Sequence, residues 1–201
     1  MTLLGRLHGL VVVSRRARVM SSVLAEYLSQ RADVLDVGCG DGMISRLIQR
    51  SRPDISIRGI DVVPRPQTYI QVDLFDGKQI PFPDSAFDTV VLVDVLHHTT
   101  DPTVLLNECS RVSKGSVLIK DNVLRGVLAR STLRLMDWVG NAPHGVPLPY
   151  NYLTTSQWRA LFEAVGLRVA ARRTRLRIYP PPFTWVFDRS LHFVALLDRA
   201  V

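Results

Sequence analysis

Cysteine is scarce in this chain: two residues in 201, Cys39 and Cys109. Their spacing matches no metal signature, and a bridge through Cys39 would distort the glycine-rich loop that holds it. No disulfide frame is expected, and a reducing cytoplasm is the simplest setting. Long apolar runs are missing too. The patch from Leu10 to Val13 falls far short of the roughly 20 residues a bilayer span needs. Arginines follow that patch rather than precede it in a cluster, and no small-residue cleavage site is evident, so no signal peptide is expected. There is no internal repeat and no low-complexity tract. What remains is one domain over residues 1–201, 47% hydrophobic, able to bury a full core without metal or disulfides.

The net charge of +7 is arginine charge, concentrated at Arg15, Arg16 and Arg18 and again at Arg168, Arg172, Arg173, Arg175 and Arg177. Attraction to nucleic acid, anionic lipid or an acidic substrate is one reading. However, Arg173, Arg175 and Arg177 alternate with Thr174, Leu176 and Ile178, the period of a half-exposed strand. No stretch interleaves aromatic with basic residues as an RNA-binding surface would. A solvated face is the preferred reading, and no nucleic-acid partner is expected.

What is present is sharper. From Val34 to Ile44 the chain reads VLDVGCGDGMI: an apolar run, an acid, a loop with Gly38, Gly40 and Gly42, then an amphipathic pattern through Ile44, Leu47 and Ile48. Strand, bare-backbone turn and helix in that order make a ligand-binding corner of an open α/β sheet. Glycine lets a ligand approach the main chain without meeting a Cβ. The spacing is G-x-G-x-G, not the G-x-G-x-x-G of dinucleotide sites. Asp36 and Asp41 would repel a pyrophosphate, but they suit a ligand carrying an ammonium or a sulfonium. S-adenosylmethionine carries both.

This segment resembles motif I of the class I S-adenosylmethionine-dependent methyltransferases, and later landmarks fall in that family's order. SIRGID, Ser56 to Asp61, reads as a second strand ending in an acid; YIQVDL, Tyr69 to Leu74, reads as a third. PFPDSAFDTVVLVDVLHH, residues 81 to 98, is similar to motif IV of the type 11 branch, whose members act on small molecules. The resemblance implies a cofactor site of Asp36, Gly38, Cys39, Gly40, Asp41 and Gly42. It adds Asp61 with Val62 at the ribose, Asp73 with Leu74 at the adenine, and Val93 with Asp94 against the methionine portion. Asp61 read alone could equally be a turn residue before Val62-Val63-Pro64.

A coarse architecture follows. Met20, Val23, Leu24, Tyr27 and Leu28 recur at helical spacing, so a helical cap (1–30) precedes the first strand. Asp101-Pro102 reads as N-cap and first helical residue, of a helix reaching about Val112 and stopping at Gly115. Ser116 to Lys120 is a fifth strand, and Leu124 to Val139 a further helix. Thr154 and Gln157 form a capping-box pattern for a helix that buries Trp158, Leu161, Phe162 and Val165 and ends at Gly166. Leu167–Arg172 and Leu191–Leu197 are the last strands. The resemblance makes them the antiparallel hairpin of a seven-stranded, Rossmann-like, doubly wound α/β sheet that is otherwise mostly parallel.

Residues 121–153 exceed that minimal fold. This insert leaves the end of a strand, where open α/β sheets bind ligands, so it is expected to roof an acceptor pocket with His144, Tyr150, Asn151 and Tyr152. A surface loop stiffened by prolines is the alternative. His97 and His98 close the fourth strand, where acceptor and methyl group should meet. Adjacent strand residues face opposite sides, so one of the pair is expected to reach the pocket. His98 is the preferred general base, since the related branch commonly has a histidine there; backbone hydrogen bonding is its alternative role. No cluster of carboxylates or cysteines surrounds the pair in sequence, so no metal is expected. The chain lacks the N-P-P-[FYW] or D-P-P-[FYW] clamp of base-amino methylases, with VDVLHH in its place. The expectation is a cytoplasmic methyltransferase acting on a small, hydrophobic, lipid-linked, sugar or polyketide-like acceptor. An RNA methyltransferase and a non-catalytic partner protein of the same fold are the alternatives; the second is disfavoured because the loop and all three acids are intact.

Overall fold

The computed structural model describes residues 15–141, 148–181 and 183–200. A helix over residues 15–25 (α1) leads into β1 (Asp33–Val37), α2 (Met43–Ser51), β2 (Ser56–Asp61), β3 (Val72–Leu74) and β4 (Phe87–Val93). A 3-10 turn (Leu96–His98) precedes α3 (Pro102–Val112), β5 (Ser113–Asn122), α4 (Ala129–Asn141) and α5 (Thr155–Ala164). The chain closes with β6 (Leu167–Arg173), α6 (Thr184–Phe187) and β7 (His192–Arg199).

The seven strands form one sheet in the order β3-β2-β1-β4-β5-β7-β6. Pairing is parallel from β3 to β5, whereas β7 runs antiparallel to both β5 and β6. This is the doubly wound sheet with a C-terminal hairpin that the resemblance implied. Strand order reverses between β1 and β4, so the crevice beyond their carboxyl ends is the place for a ligand.

The pleat explains the two cores. Leu35 and Val37 on β1 join Leu92, Ile119, Leu106, Trp158 and Phe162 on one face. Val34 on the same strand joins Met20, Leu24, Ile48, Val91, Leu118 and Val194 on the other. Helices cover both faces, which is why the central strands read as nearly continuous apolar runs. Local signals also hold. The Asp101 carboxylate accepts the Thr103 N–H at 2.8 Å with Pro102 at the first helical position, and Thr154 and Gln157 form the reciprocal capping box.

Several boundaries differ from expectation. β3 begins at Val72, not Tyr69, because the Tyr69 N–H is donated to the Asp41 carbonyl at 2.8 Å and ties that segment to the glycine loop. The helix expected from Leu124 begins at Ala129. The Val123 and Leu124 amides bond to the Leu191 and Leu153 carbonyls, and Gly126 and Leu128 take φ of +86° and +63°. β5 starts directly at Ser113 with no break at Gly115, and it runs to Asn122 because β7 pairs along it that far. Leu176 and Ile178 are buried between exposed Arg175 and Arg177, so the arginine alternation marks a solvated face even where the chain has left β6.

Candidate active site

The glycine loop is shaped by its neighbours. Gly38, Gly40 and Gly42 have φ of +71°, +61° and +75°, a region that costs other residues strain. The Gly38 and Cys39 amides bond to the Ile60 carbonyl at 2.8 and 3.2 Å, tying the loop to β2. A Cβ at Gly38 would lie 2.6 Å from Val95, and one at Gly42 would lie 2.4 Å from Ile70. Those two glycines serve packing. At Gly40 a Cβ would meet nothing within 4 Å, so of the three loop glycines this is the one with open space beside it. Asp41 is exposed, and its carboxylate accepts the Met43 N–H at 3.0 Å, so it caps the start of α2. The Cys39 sulfur lies 2.5 Å from where a Gly59 Cβ would stand, and burial raises its thiol pKa.

Two acids line the rim of β1 and β2. Asp36 is 4% exposed; one oxygen accepts the Ser45 hydroxyl at 2.6 Å, and the other, Oδ1, has no partner among the described residues. Burial pushes its pKa up to about 6 despite the Ser45 bond, with nearby Asp61 adding to the rise. Asp61 accepts the Gly40 N–H at 2.7 Å on one oxygen and the Val63 N–H at 2.8 Å on the other. It therefore plays its turn role, while each oxygen keeps a further lone pair for a hydroxyl donor. Beside it Val62 and Leu74 are 51% and 59% exposed, two apolar side chains at neighbouring strand ends. Asp73 is held by Arg58 Nε at 2.8 Å through one oxygen, which leaves Oδ1 for any other donor.

The end of β4 departs most from expectation. Val93 ends the strand, and Asp94 turns the chain at φ +58°. Instead of facing open space, Asp94 takes an ion pair from buried Lys120 on β5 at 2.5 Å and a second from Arg16 on α1. Burial alone would raise its pKa, but Lys120 and Arg16 outweigh that and hold it well below the usual carboxylate range. Replacing Lys120 by Met is expected to cost on the order of 3 kcal/mol of stability in urea unfolding, because Asp94 loses the buried one of its two cationic partners. A change within 1 kcal/mol (about the worth of a surface pair) would contradict this.

His97 and His98 do not sit on a strand, so the alternation argument fails. They occupy the 3-10 turn, with ring centroids 4.1 Å apart. His97 is 1% exposed, and its Nδ1 lies 2.6 Å from Asp121 Oδ1 while Nε2 lies 3.4 Å from Asp137 Oδ2. Burial opposes its charge, but Asp121 and Asp137 prevail and lift His97 to about 10. Carboxylates remote in sequence thus gather at the pair, which removes the ground for expecting no metal there.

The second leg of the insert packs onto this turn. The Asn151 N–H is donated to the His97 carbonyl at 3.2 Å, and its side-chain amide to the Thr99 carbonyl at 3.3 Å. Tyr152 is buried and its hydroxyl donates to Asp137, so it belongs to the small core of Ala129, Leu133 and Leu191 instead of presenting a polar group to a pocket. Tyr150 takes φ +56°, with Arg134 over its ring at 4.6 Å. His144 lies outside the described residues. Sequence reasoning missed Lys120, Asp121 and Asp137. The first two carry one usable signal, a charged pair closing the apolar strand VLIKD. A surface groove of about 480 Å³ between α1 and α2, lined by Arg18, Ser22, Leu47 and Arg52 among others, includes none of these groups.

Comparison with known proteins fits this geometry. A family described as a methyltransferase domain matches residues 12–172. A demethylmenaquinone methyltransferase of Thermotoga maritima is 30% identical over 139 residues, 61% of either chain. A ubiquinone biosynthesis O-methyltransferase of Xanthomonas euvesicatoria is 30% identical over 112 residues, 47% of this chain and 46% of that one. The chain spans about half the length of these curated relatives. A solved SAM-dependent methyltransferase of Methanosarcina mazei has the same fold, with a TM-score of 0.62 at 19% identity, covering 89% of this chain and 97% of that one.

Proposed function

This chain belongs to the methyltransferase-domain family, and on that premise we propose that it moves a methyl group from S-adenosylmethionine to a small apolar acceptor bearing a hydroxyl. The observation that carries the reading is the buried Asp36 Oδ1, without a hydrogen-bond partner among the described residues, four residues ahead of Gly40, the loop glycine with open space at its Cβ position. A buried carboxylate oxygen without a donor is costly unless a ligand supplies one, and the cofactor's cationic end fits that vacancy in charge. Asp61 retains lone pairs for the ribose hydroxyls, Val62 and Leu74 offer apolar contact to a flat base, and we assign its amino group to Asp73 Oδ1. Asp94, already bound by Lys120 and Arg16, shapes the rim instead of binding the cofactor directly.

When bound, the cofactor supplies an activated methyl on a sulfonium. The protein's task is then alignment, which can provide about 7–11 kcal/mol of the barrier in favourable cases. A hydroxyl acceptor must also lose a proton, and we assign that proton to His98. His97 is the weaker candidate, because Asp121 and Asp137 occupy the surroundings of both its ring nitrogens. Support for an apolar acceptor comes from the names of the quinone-related relatives and from Val127, Leu128, Leu135, Trp138 and Val139, exposed on the insert we take as the pocket roof. Free Cys39 and Cys109 suit a reducing cytoplasm, and no helix among the described residues is long and apolar enough to cross a membrane.

The ribose assignment has a direct test. Asp61→Ala should weaken S-adenosylmethionine binding about 10–100-fold in calorimetry, the worth of one charge-assisted hydrogen bond or more. Unchanged affinity would remove Asp61 from the site.

A further inference from the structure

We propose that His97 and His98 on the turn after β4, together with Asp137 on α4, form a binding site for one divalent cation of the zinc type. Each of the three offers one ligand atom, all within 4.8 Å of one another. Two imidazoles and one carboxylate suit zinc or its first-row neighbours, whereas magnesium and calcium prefer oxygen alone.

The arrangement carries more than proximity. His97 Nε2 is buried, makes no hydrogen bond among the described residues, and faces Asp137 Oδ2 at 3.4 Å. A tetrahedral ion with bonds of about 2.0–2.2 Å holds neighbouring ligands about 3.2–3.6 Å apart, so this separation is that of two ligands. The opposite ring nitrogen, Nδ1, lies 2.6 Å from Asp121 Oδ1. A carboxylate on the far nitrogen is the usual support of a metal-bound histidine, since it fixes the tautomer and aims the free lone pair. The Tyr152 hydroxyl donates to the same Asp137 oxygen, Oδ2, and holds it in place while a second lone pair remains for the ion. The His98 ring, tilted 42° against that of His97 at a centroid distance of 4.1 Å, supplies the third donor. A second trio, Asp94 with His97 and Asp121, also lies close, but Lys120 and Arg16 already neutralise Asp94.

The ligands come from the turn after β4 and from the insert, so the ion would pin α4 to the end of β4. The competing occupant is a proton, with His97 as an imidazolium between two carboxylates. A cation on His98 takes the lone pair that proton removal needs, so that ring serves one role at a time. The inference itself requires neither cofactor nor acceptor.

Zinc titrated calorimetrically into chelator-stripped protein, with no cofactor present, should bind one ion per chain. Asp137→Asn and His98→Ala should each weaken it by more than the about 10–100-fold expected of the supporting change Asp121→Asn. No zinc binding, or equal binding by Asp137→Asn and His98→Ala, overturns the site. Should those variants fail to fold, the unaltered protein gives a second readout. Zinc should shield His98 from diethyl pyrocarbonate in peptide mass spectrometry, and undiminished labelling overturns the proposal. S-adenosylmethionine binding measured in chelator keeps failure of this site distinct from failure of the methyltransferase reading.

Discussion

Binding of S-adenosylmethionine will strengthen by up to tenfold per pH unit as the pH rises towards 6, then level off. The cause is Asp36. Burial raises this carboxyl to about 6 in the chain without ligand, so below that value the neutral acid dominates. A cation beside Oδ1 favours the carboxylate, and binding below about pH 6 must therefore expel a proton at a cost that grows as the pH falls. Above about 6 the carboxylate already stands ready and the slope vanishes. A second limb identifies the charge it meets. If the ammonium pairs with Asp36, affinity falls again above about pH 8, where an α-amino group titrates; a sulfonium does not titrate and gives no such fall. Asp36→Asn should remove the acidic limb and weaken binding at pH 7 by about 10–150-fold, the worth of a hydrogen bond to a charged group. A flat profile in the unaltered protein, or a slope that survives in Asp36→Asn, contradicts the assignment.

Loss of the His98 ring should slow turnover without loosening the cofactor. His98→Ala is expected to lower kcat about 10²–10⁴-fold, the usual contribution of a positioned general base, while S-adenosylmethionine affinity stays within a factor of a few. The comparison belongs in chelator, so that a lost cation is not mistaken for a lost base, and added imidazole should restore part of the rate. His97→Ala is the informative contrast. It empties the space between Asp121 and Asp137, leaving two buried carboxylates without their partner, and should cost stability as well as rate. If kcat on the true acceptor is untouched in His98→Ala, the base assignment fails.

The sequence was legible where one segment holds its own physics. The glycine spacing, the acid at the end of β2 and the capping pairs Asp101-Pro102 and Thr154-Gln157 are set by residues a few positions apart, and all fold as read. Elements bent by distant partners were not legible. Tyr69 looked extended by composition, yet its amide is drawn to Asp41 in the glycine loop. Leu124 fitted a helical period, yet Leu153 claims its amide. His97 and His98 looked like strand residues because only Asp94 interrupts the apolar run before them, whereas Asp94 turns the chain at positive φ to meet Lys120. Asp137 lay inside an ordinary amphipathic helix, and nothing local marked it as the partner of a histidine on another element.

One titration most directly tests the proposed cation site at Gly40, Asp36 and Asp61. Calorimetry of the purified chain with S-adenosylmethionine, using NAD as the control ligand, should give one saturable site per chain for the first and no heat for the second. Saturable binding of NAD with none of S-adenosylmethionine would contradict the central claim, since the paired acids that reject a pyrophosphate would then have been misread.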